Sequence, residues 1–176
     1  MPLSTLHFPL LLKWLETPHV KAWLDHDVHW TPELIEKKYS NYVQGFKQLK
    51  LEGKTIEKPM HAYIILHNEL PIGYIQYYDK HDFPPEQGYK ITELPKSCAA
   101  IDWYIGEPEF IGKGIGSKAL VLFLDNYVFP KFDYVFTDSE TKNISAIRAY
   151  EKTGFKEIKK VKNETITWMM KEKKHA

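Results

Sequence analysis

The sequence is poor in several features that define whole classes of protein. It contains one cysteine, Cys98, which excludes a disulfide within the chain and suits a reducing compartment. No apolar run approaches the roughly 20 residues that a membrane-spanning helix needs. Basic and acidic side chains nearly balance, 24 against 23, so the strong positive charge of a typical nucleic-acid-binding protein is missing. We therefore expect neither a membrane nor a nucleic acid as a partner.

The first residues also lack the features of a secretion signal. MPLSTLHFPLLLKWLE has neither a basic first region nor a small-residue cleavage site. We therefore expect a cytoplasmic protein, as a monomer or a homodimer. The length of 176 residues, with 43% hydrophobic residues, predicts a single domain over residues 1–176 with a core of its own.

Metal-ligating residues are present but scattered. The tightest spacing among the eight histidines is His26-Asp27-x-His29, and no convincing third and fourth ligand accompanies it. We expect no metal ion.

Hydrophobic periodicity and turn residues outline the first half of the chain. The pattern predicts a short strand at LSTLHF and helices that begin at Thr17-Pro18 and Thr31-Pro32, where a hydroxyl precedes a proline. The second helix is expected to cover TPELIEKKYSNYVQGFKQL. The runs MHAYIILH and PIGYIQYYD then predict two strands of a hairpin.

Strands and helices alternate in the second half of the chain. We expect a loop over residues 80–97, a strand at 98–105, a helix at 115–128 and a strand at 132–138. A helix over SAIRAYEKTGF ends at Gly154, and the strands FKEIKKV and ETITWMM follow. The sequence therefore predicts an α/β protein with a central mixed, mostly antiparallel sheet flanked by helices.

The glycine-rich segment IGKGIG, residues 111–116, precedes the helix at 115–128 and raises the question of a ligand. Backbone N–H groups at such a turn, together with the helix dipole, favour an anion such as a phosphate. A nucleotide-triphosphate loop is excluded, because five residues separate Gly106 from Gly112-Lys113 and Gly114 stands where a hydroxyl should hold magnesium. A dinucleotide motif fits poorly, because Ser117 replaces its third glycine. The pyrophosphate of coenzyme A and a turn without ligand remain open.

A second motif lies about 30 residues further on, in TDSETKNISAIRAYEKTGF. Asn143, Ala146, Ile147 and Tyr150 have the spacing of one helix face. An amide at one end and a phenol two turns later suit a groove for a long, thin ligand, although a tyrosine here also fits a core position.

The two motifs together resemble the GNAT acyltransferase superfamily. Gly114-Ile115-Gly116 matches the glycines of its Arg/Gln-x-x-Gly-x-Gly/Ala signature, although Ile111 replaces the Arg or Gln. Asn143, Tyr150 and Gly154-Phe155 match its Asn-x-x-Ala-x-x-x-Tyr-x-x-x-Gly-Phe pattern. The resemblance implies acetyl-CoA as cosubstrate, with Asn143 on the pantetheine arm and Tyr150 protonating the departing thiolate.

Within this superfamily, the sequence most resembles the aminoglycoside 6′-N-acetyltransferases. WLETPHVKAWL, ELPIGYIQYYD and AAIDWYI carry this resemblance along nearly the whole chain, and it is strongest over residues 98–155. It implies transfer of an acetyl group to an amine of an aminoglycoside-like polycation, most simply the 6′-amine. Siderophore acyltransferases are a second possibility, but HDVHWTPELIEKKY lacks the Asn-Arg-rich pattern that we expect of them.

Direct acetyl transfer needs a polarised thioester, a neutral amine and a proton for the thiolate. Asp102 lies inside the apolar strand AAIDWYI, where a carboxylate is costly unless it is paired or functional. In the resembled family an aspartate at this position holds the substrate ammonium and helps to remove its proton. A structural hydrogen bond is the alternative. Asp138 is a second candidate for cation binding, or a helix-terminal charge.

The remaining candidates bind the two substrates. We expect backbone N–H groups near Tyr104 and Ile105 to polarise the thioester carbonyl, and the loop Gly112, Lys113, Gly114, Ile115, Gly116 and Ser117 to bind coenzyme A. Aromatic and acidic side chains are candidates for the acceptor site: Trp23, Tyr39, Trp103, Glu86 and Glu93.

Three functions stay open from the sequence. The first is an acetyl-CoA-dependent N-acetyltransferase for an aminoglycoside-like amine. The second is a GNAT acyltransferase for another amine, such as a siderophore hydroxylamine, a polyamine or a protein amine. The third is a coenzyme A-binding module without catalysis, against which Asp102 and Tyr150 argue.

Overall fold

The computed structural model describes residues 1–83 and 93–175. The α-helices of these residues are α1 (Phe8–Glu16), α2 (Pro18–Lys21), α3 (Pro32–Val43), α4 (Ile115–Phe123) and α5 (Ile144–Lys152). The strands are β1 (Phe46–Leu51), β2 (Lys54–Pro59), β3 (His61–His67), β4 (Leu70–Asp79), β5 (Cys98–Ile105), β6 (Tyr134–Glu140), β7 (Lys156–Val161) and β8 (Ile166–Glu172). No helix in the described ranges is both long and apolar enough to cross a membrane.

A six-stranded mixed sheet has the strand order β3-β4-β5-β6-β8-β7. Strands β5 and β6 are parallel, whereas the pairs β3–β4, β6–β8 and β7–β8 are antiparallel. Strands β1 and β2 form a separate antiparallel hairpin. The predicted α/β class with a mixed sheet and accompanying helices is confirmed.

The chain divides into two compact units. Unit 1 comprises Met1–Tyr77 and Trp103–Ile115, and unit 2 comprises Tyr78–Asp102 and Gly116–Ala176. Strand β5 contributes Trp103 to Ile105 to unit 1 and its first residues to unit 2.

The core of unit 1 is built largely from aromatic residues. Helix α1 buries Trp14, and α3 buries Tyr39 and Tyr42. The Trp14 indole packs so closely on Gly106 that a Cβ there would lie 2.1 Å from the ring. A side chain at position 106 would therefore displace Trp14 from the core.

The core of unit 2 includes one face of the β5–β6–β8 sheet. Cys98, Ala100, Phe136 and Trp168 are buried together, and the Phe136 and Trp168 rings meet edge to face at 5.2 Å. Apolar side chains at alternate positions of neighbouring strands cover this face, as expected for a sheet packed on one side.

The predicted N-terminal strand is wrong. Thr5–His7 is a 3₁₀ helix that leads directly into α1. The residues before it form a bridge between Pro2 and Tyr63, and the Leu3 N–H donates to the Ala62 carbonyl at 3.0 Å. The Ser4 N–H donates to the His7 ring at 3.0 Å, which closes this turn locally. Local side-chain bonds of this kind compete with strand pairing.

The predicted length of α3 is also wrong. The helix ends at Val43, Gly45 adopts a φ of +92°, and the residues that follow form the β1–β2 hairpin. The helical spacing of apolar residues continues through Tyr42, Val43 and Phe46. The sequence therefore does not reveal the alternation of β1. The Met60 N–H donates to the Gly45 carbonyl at 3.0 Å, so the hairpin is closed at its base.

The other predicted elements are present with shifted ends. The helix at 115–128 is α-helical to Phe123 and continues as one π turn over Leu124–Val128. The strand predicted at 132–138 is β6, Tyr134–Glu140. Lys80–Asp82 forms a short 3₁₀ turn at the start of the predicted 80–97 loop. Glu86 lies outside the described residues.

Candidate active site

Asp102 and Asp138 lie on neighbouring parallel strands of unit 2. The register pairs Ala100 on β5 with Phe136 on β6, and each aspartate lies two residues further along its strand. Alternation along a strand therefore directs both carboxylates to the same face, just beyond the last paired residues of the two strands. This pair of carboxylates is a suitable site for an ammonium group.

The electrostatics of Asp138 are unusual for an exposed side chain. Its carboxylate is accessible to solvent, yet the surrounding protein atoms and the negative charge of Asp102 raise its pKa above the ordinary carboxyl range. Lys80 and Lys162 oppose this shift. A desolvated carboxylate that solvent can still reach is what a cation-binding site requires.

Tyr150 lies on the opposite face of β6 from Asp138. The Thr137 hydroxyl donates to the Tyr150 phenol oxygen at 3.1 Å and lies 3.5 Å from the Ile101 carbonyl oxygen. Helix α5 supplies the tyrosine, whose side chain is only 6% exposed and packs on Phe155. A donor to the phenol oxygen stabilises a phenolate, so this contact suits a proton donor.

Asn143 has a structural task at the start of α5. Its side-chain oxygen accepts a hydrogen bond from the Ala146 N–H at 3.2 Å, which caps the helix. The cap uses only the amide oxygen. The NH₂ group is the end of the side chain that suits a ligand carbonyl.

The glycine loop before α4 has the backbone that its sequence predicts. Gly112 and Gly114 adopt φ angles of +75° and +74°, and nothing lies within 4 Å of a Cβ built on either residue. Residues 111 to 114 are exposed, and Gly116 and Ser117 in the first turn of α4 are half-buried. The open space beside these backbone amides fits a phosphate group.

Side chains from the N-terminal helices hold the end of β5 in unit 1. The His19 Nε2 atom lies 2.8 Å from the Ile105 carbonyl oxygen. Glu107 accepts hydrogen bonds from Lys13 at 2.6 Å and from the Trp14 indole at 2.8 Å. Both contacts lower the pKa of the Glu107 carboxyl. The segment expected to polarise the thioester is therefore fixed in place.

The aromatic candidates for the acceptor site differ in exposure. Trp23 is 45% exposed, and Trp103 is half-buried. Tyr39 is only 2% exposed and packs on the rings of Tyr42 and Tyr74. A direct contact between Tyr39 and an acceptor therefore requires a rearrangement of this core, and the structure places the residue as a packing group.

Tyr104 belongs to the same aromatic cluster. Its ring stacks on Tyr74 at 5.6 Å and meets Trp14 edge to face. The hydroxyl is buried without a hydrogen-bond partner among the described residues. Burial, with a smaller contribution from Asp25, raises its pKa. Only the backbone of Tyr104 remains suited to bind a thioester.

The surroundings of Cys98, His29 and Glu93 bear on covalent catalysis, metal binding and the acceptor site. Cys98 is fully buried, and burial raises its thiol pKa to about 12, so it is not a nucleophile. Within residues 1–83 and 93–175, no three metal-ligating side chains come together, and His29 instead faces Glu16 at 3.6 Å. Glu93 is paired with Lys159.

The sequence did not point to Thr137, Lys80 or Lys162. Thr137 precedes Asp138 on β6, so strand alternation directs its side chain to the face on which Tyr150 lies. The sequence allows this inference once β6 has been located. The two lysines reach Asp138 from turns distant in sequence, and no local pattern signals that approach.

Comparison with known proteins identifies the family. The model of the acetyltransferase (GNAT) domain matches residues 4–163, and the chain belongs to this family. Aminoglycoside N(6′)-acetyltransferase type 1 of Klebsiella pneumoniae is 29% identical over 149 residues, which cover 83% of this chain and 67% of that protein. The protein of the same name from Serratia marcescens gives the same values.

Solved structures extend the similarity to the fold. The type Ib aminoglycoside 6′-acetyltransferase in complex with paromomycin and acetyl-CoA has a TM-score of 0.76 at 25% identity, covering 98% of this chain and 91% of that chain. The same enzyme with coenzyme A and kanamycin gives 0.74 at 26% identity, covering 98% and 92%. An aminoglycoside N(6′)-acetyltransferase of Legionella pneumophila, at 20% identity over 97% and 89% of the two chains, shares the fold with a TM-score of 0.67.

Proposed function

We propose that this chain is an N-acetyltransferase that moves the acetyl group of acetyl-CoA directly to the 6′-amine of an aminoglycoside-like polycation. The carboxylates of Asp102 and Asp138 carry this proposal, because two carboxylates on one face of neighbouring strands, one of them desolvated, favour a ligand with ammonium groups. The aminoglycoside acetyltransferases at 25–29% identity support the same substrate class.

The carboxylates prepare the acceptor. Asp138 holds an ammonium group of the substrate, and Asp102 takes the proton that the 6′-ammonium must lose before its nitrogen can attack. That proton moves directly or through one water molecule. Replacing Asp102 by asparagine keeps the shape of the side chain and removes the base.

The other residues act on the thioester. Acetyl-CoA supplies an acyl carbon that the amine attacks, with loss of the carbon–sulfur bond. Backbone N–H groups near Tyr104 and Ile105 hold the carbonyl oxygen, and the Tyr150 phenol gives its proton to the sulfur. The nitrogen loses its second proton to solvent as it becomes an amide, and a proton from solvent restores the phenol. Thr137 stabilises the phenolate that remains, through its bond to the phenol oxygen.

Coenzyme A binding is assigned to two segments. The backbone amides of Gly112, Lys113, Gly114, Ile115, Gly116 and Ser117 bind the pyrophosphate in the open space beside the two left-handed glycines. The NH₂ group of Asn143 binds the pantetheine arm. Trp23 and Trp103, which are at least partly exposed, are assigned to the acceptor.

The cellular compartment and the oligomeric state complete the proposal. The unpaired thiol of Cys98 suits a reducing compartment, so we place the protein in the cytoplasm. A single domain over residues 1–176, acting as a monomer or a homodimer, is the proposed organisation.

Thiol release from acetyl-CoA tests the function. Kanamycin, spermine and N-hydroxylysine are offered separately to the wild type and to Asp102→Asn. We expect rapid release with kanamycin, and a fall in kcat/KM of about 100-fold or more in the variant. Asp133→Asn, which changes an exposed carboxylate just before β6, is the matched control and should keep wild-type turnover.

The other outcomes select the alternatives. Thiol release only with spermine or N-hydroxylysine would mean that the protein uses a different acceptor in the same acetyl-transfer reaction. Tight coenzyme A binding without release would leave a binding module. Full activity of Asp102→Asn would refute the role given to this carboxylate.

A further inference from the structure

A lysine lies on the same sheet face as the two candidate carboxylates. Phe136 precedes Asp138 by two residues on β6, so both side chains project from one face. The Lys80 Nζ atom lies 4.9 Å from the centre of the Phe136 ring. The ammonium group of Lys80 is therefore part of the face that carries Asp102 and Asp138.

The turn that carries Lys80 is anchored on several sides. The Asp79 carboxylate accepts a hydrogen bond from the His81 N–H at 2.9 Å, and the His81 Nε2 atom lies 2.7 Å from the Pro95 carbonyl oxygen. Phe83 packs edge to face on Tyr78 at 4.7 Å. With its backbone fixed and its ammonium over an aromatic ring, Lys80 has a restricted position.

The charges at this site balance when Asp138 itself is ionised. Asp102 contributes one negative charge, while Lys80 and Lys162 contribute two positive ones that favour the ionised form of Asp138. Lys162 lies in the exposed turn between β7 and β8, where water screens its charge. Lys80 is half-buried, so its charge is screened less.

We propose that Lys80 is a resident counter-cation of the Asp102–Asp138 pair and that it limits the affinity of the site for polycations. An acceptor that brings several ammonium groups must approach against the Lys80 charge, whereas an acceptor with one ammonium meets less repulsion. Lys80 therefore sets acceptor specificity. The choice of acceptors rests on the proposed function, but the place of Lys80 beside the carboxylates does not.

The chain offers a matched control in Lys159. Its Nζ atom lies 5.2 Å from the Trp168 ring, and Trp168 packs on Phe136 in the same cluster. Lys159 forms an ion pair with Glu93. Lys159 is not among the charges that shift the pKa of Asp138. Lys159→Gln removes a lysine from an aromatic ring nearby without removing the charge that faces the carboxylates.

The kinetic test compares two acceptors. KM is measured for kanamycin and for 6-amino-6-deoxyglucose, which has one amine, in the wild type, Lys80→Gln, Lys80→Arg and Lys159→Gln. We expect Lys80→Gln to lower the KM for kanamycin about three- to tenfold, the effect of one unit charge a few ångströms away. The KM for the monoamine should fall less, while Lys80→Arg and Lys159→Gln stay close to the wild type.

A second readout separates this inference from the proposed function. The pKa of Asp138, followed by NMR of its labelled carboxyl carbon, should rise in Lys80→Gln and stay unchanged in Lys159→Gln. If the wild type acetylates neither acceptor, the proposed function is refuted and this titration alone decides the place of Lys80. An unchanged Asp138 pKa in Lys80→Gln, or a ratio of the two KM values that does not move, would overturn the inference.

Discussion

Two carboxylates and a phenol lie on opposite faces of the β5–β6 pair of strands. Asp138 and Asp102 share one face of the β5–β6 pair, and Thr137, between Phe136 and Asp138, directs its hydroxyl to Tyr150 on the other. An acceptor amine and a departing thiolate require groups of opposite function. Alternation along β6 separates them within two consecutive residues.

Asp138 predicts a pH-dependent stability. Its raised pKa means that the folded protein keeps this proton to a higher pH than the unfolded chain. The fold therefore loses stability as the pH rises from the ordinary carboxyl value of about 4 through the raised pKa. Asp138→Asn has no carboxyl group to ionise at this position. Its melting temperature relative to that of the wild type should therefore rise with pH over this range. The measurement is thermal unfolding at a series of pH values.

Asp133→Asn is the control for that series. Asp133 is exposed just before β6, so Asp133→Asn removes a negative charge at the surface and shows the effect of that loss alone. The same pH dependence in Asp138→Asn and Asp133→Asn would mean that the folded environment does not specifically disfavour the Asp138 charge.

The phenol of Tyr150 predicts a loss confined to turnover. Tyr150→Phe should lower kcat about 100-fold, because the thiolate loses its proton donor, while the dissociation constant of coenzyme A stays within about threefold. Thr137→Val removes only the bond that stabilises the phenolate and should lower kcat less. Stopped-flow or steady-state rates with calorimetric binding distinguish the two constants. Retained kcat in Tyr150→Phe would assign the tyrosine to the core alone.

Among the elements, the turn between β5 and α4 has a backbone that only glycine adopts easily. Gly112 and Gly114 have positive φ angles, and their Cβ positions are empty. Apart from the adjacent residues in the chain, no atom of the described residues lies within 4 Å of these two Cβ positions, whereas the Trp14 indole packs directly on Gly106. Packing in the core explains the glycine at position 106, and the coenzyme A proposed above would occupy the space beside Gly112 and Gly114.

Gly114→Val should weaken coenzyme A binding at least about tenfold, because the side chain fills the space proposed for the pyrophosphate. Gly53→Val is the matched control. Gly53 has a similar φ of +77° in the β1–β2 turn, also with nothing within 4 Å of its Cβ position. Both variants carry the same backbone strain, so calorimetry should show a loss of affinity for position 114 alone. Equal affinity in the two folded variants would remove the ligand from this loop.

The sequence predicts well those elements whose bounds are set by residues nearby in the chain. The apolar run CAAIDWYI coincides with β5, and Asn143 to Gly154 bound α5 as their capping roles require. The β1–β2 hairpin was missed because three aromatic or apolar residues continued the helical period into it. The long-range approach of Lys80 to Asp138 depends on how strands pair, and no local pattern contains that information.

The whole molecule predicts direct transfer through a ternary complex. The candidate nucleophile in the chain, Cys98, is fully buried and has a pKa of about 12, so no thiolate is available to carry the acetyl group. Cys98→Ala should keep kcat within about twofold. Initial rates at varied concentrations of both substrates should give intersecting double-reciprocal lines. Parallel lines, or loss of activity in a folded Cys98→Ala protein, would require a covalent intermediate.

The position of the acetyl group on the product tests the proposed function most directly. Kanamycin is incubated with the protein and acetyl-CoA, and the purified product is examined by two-dimensional NMR. We expect a single acetyl group on the 6′-nitrogen, and no product in the same time with Asp102→Asn. An acetyl group on another nitrogen, or unmodified kanamycin with acetyl-CoA intact, would contradict the proposed reaction.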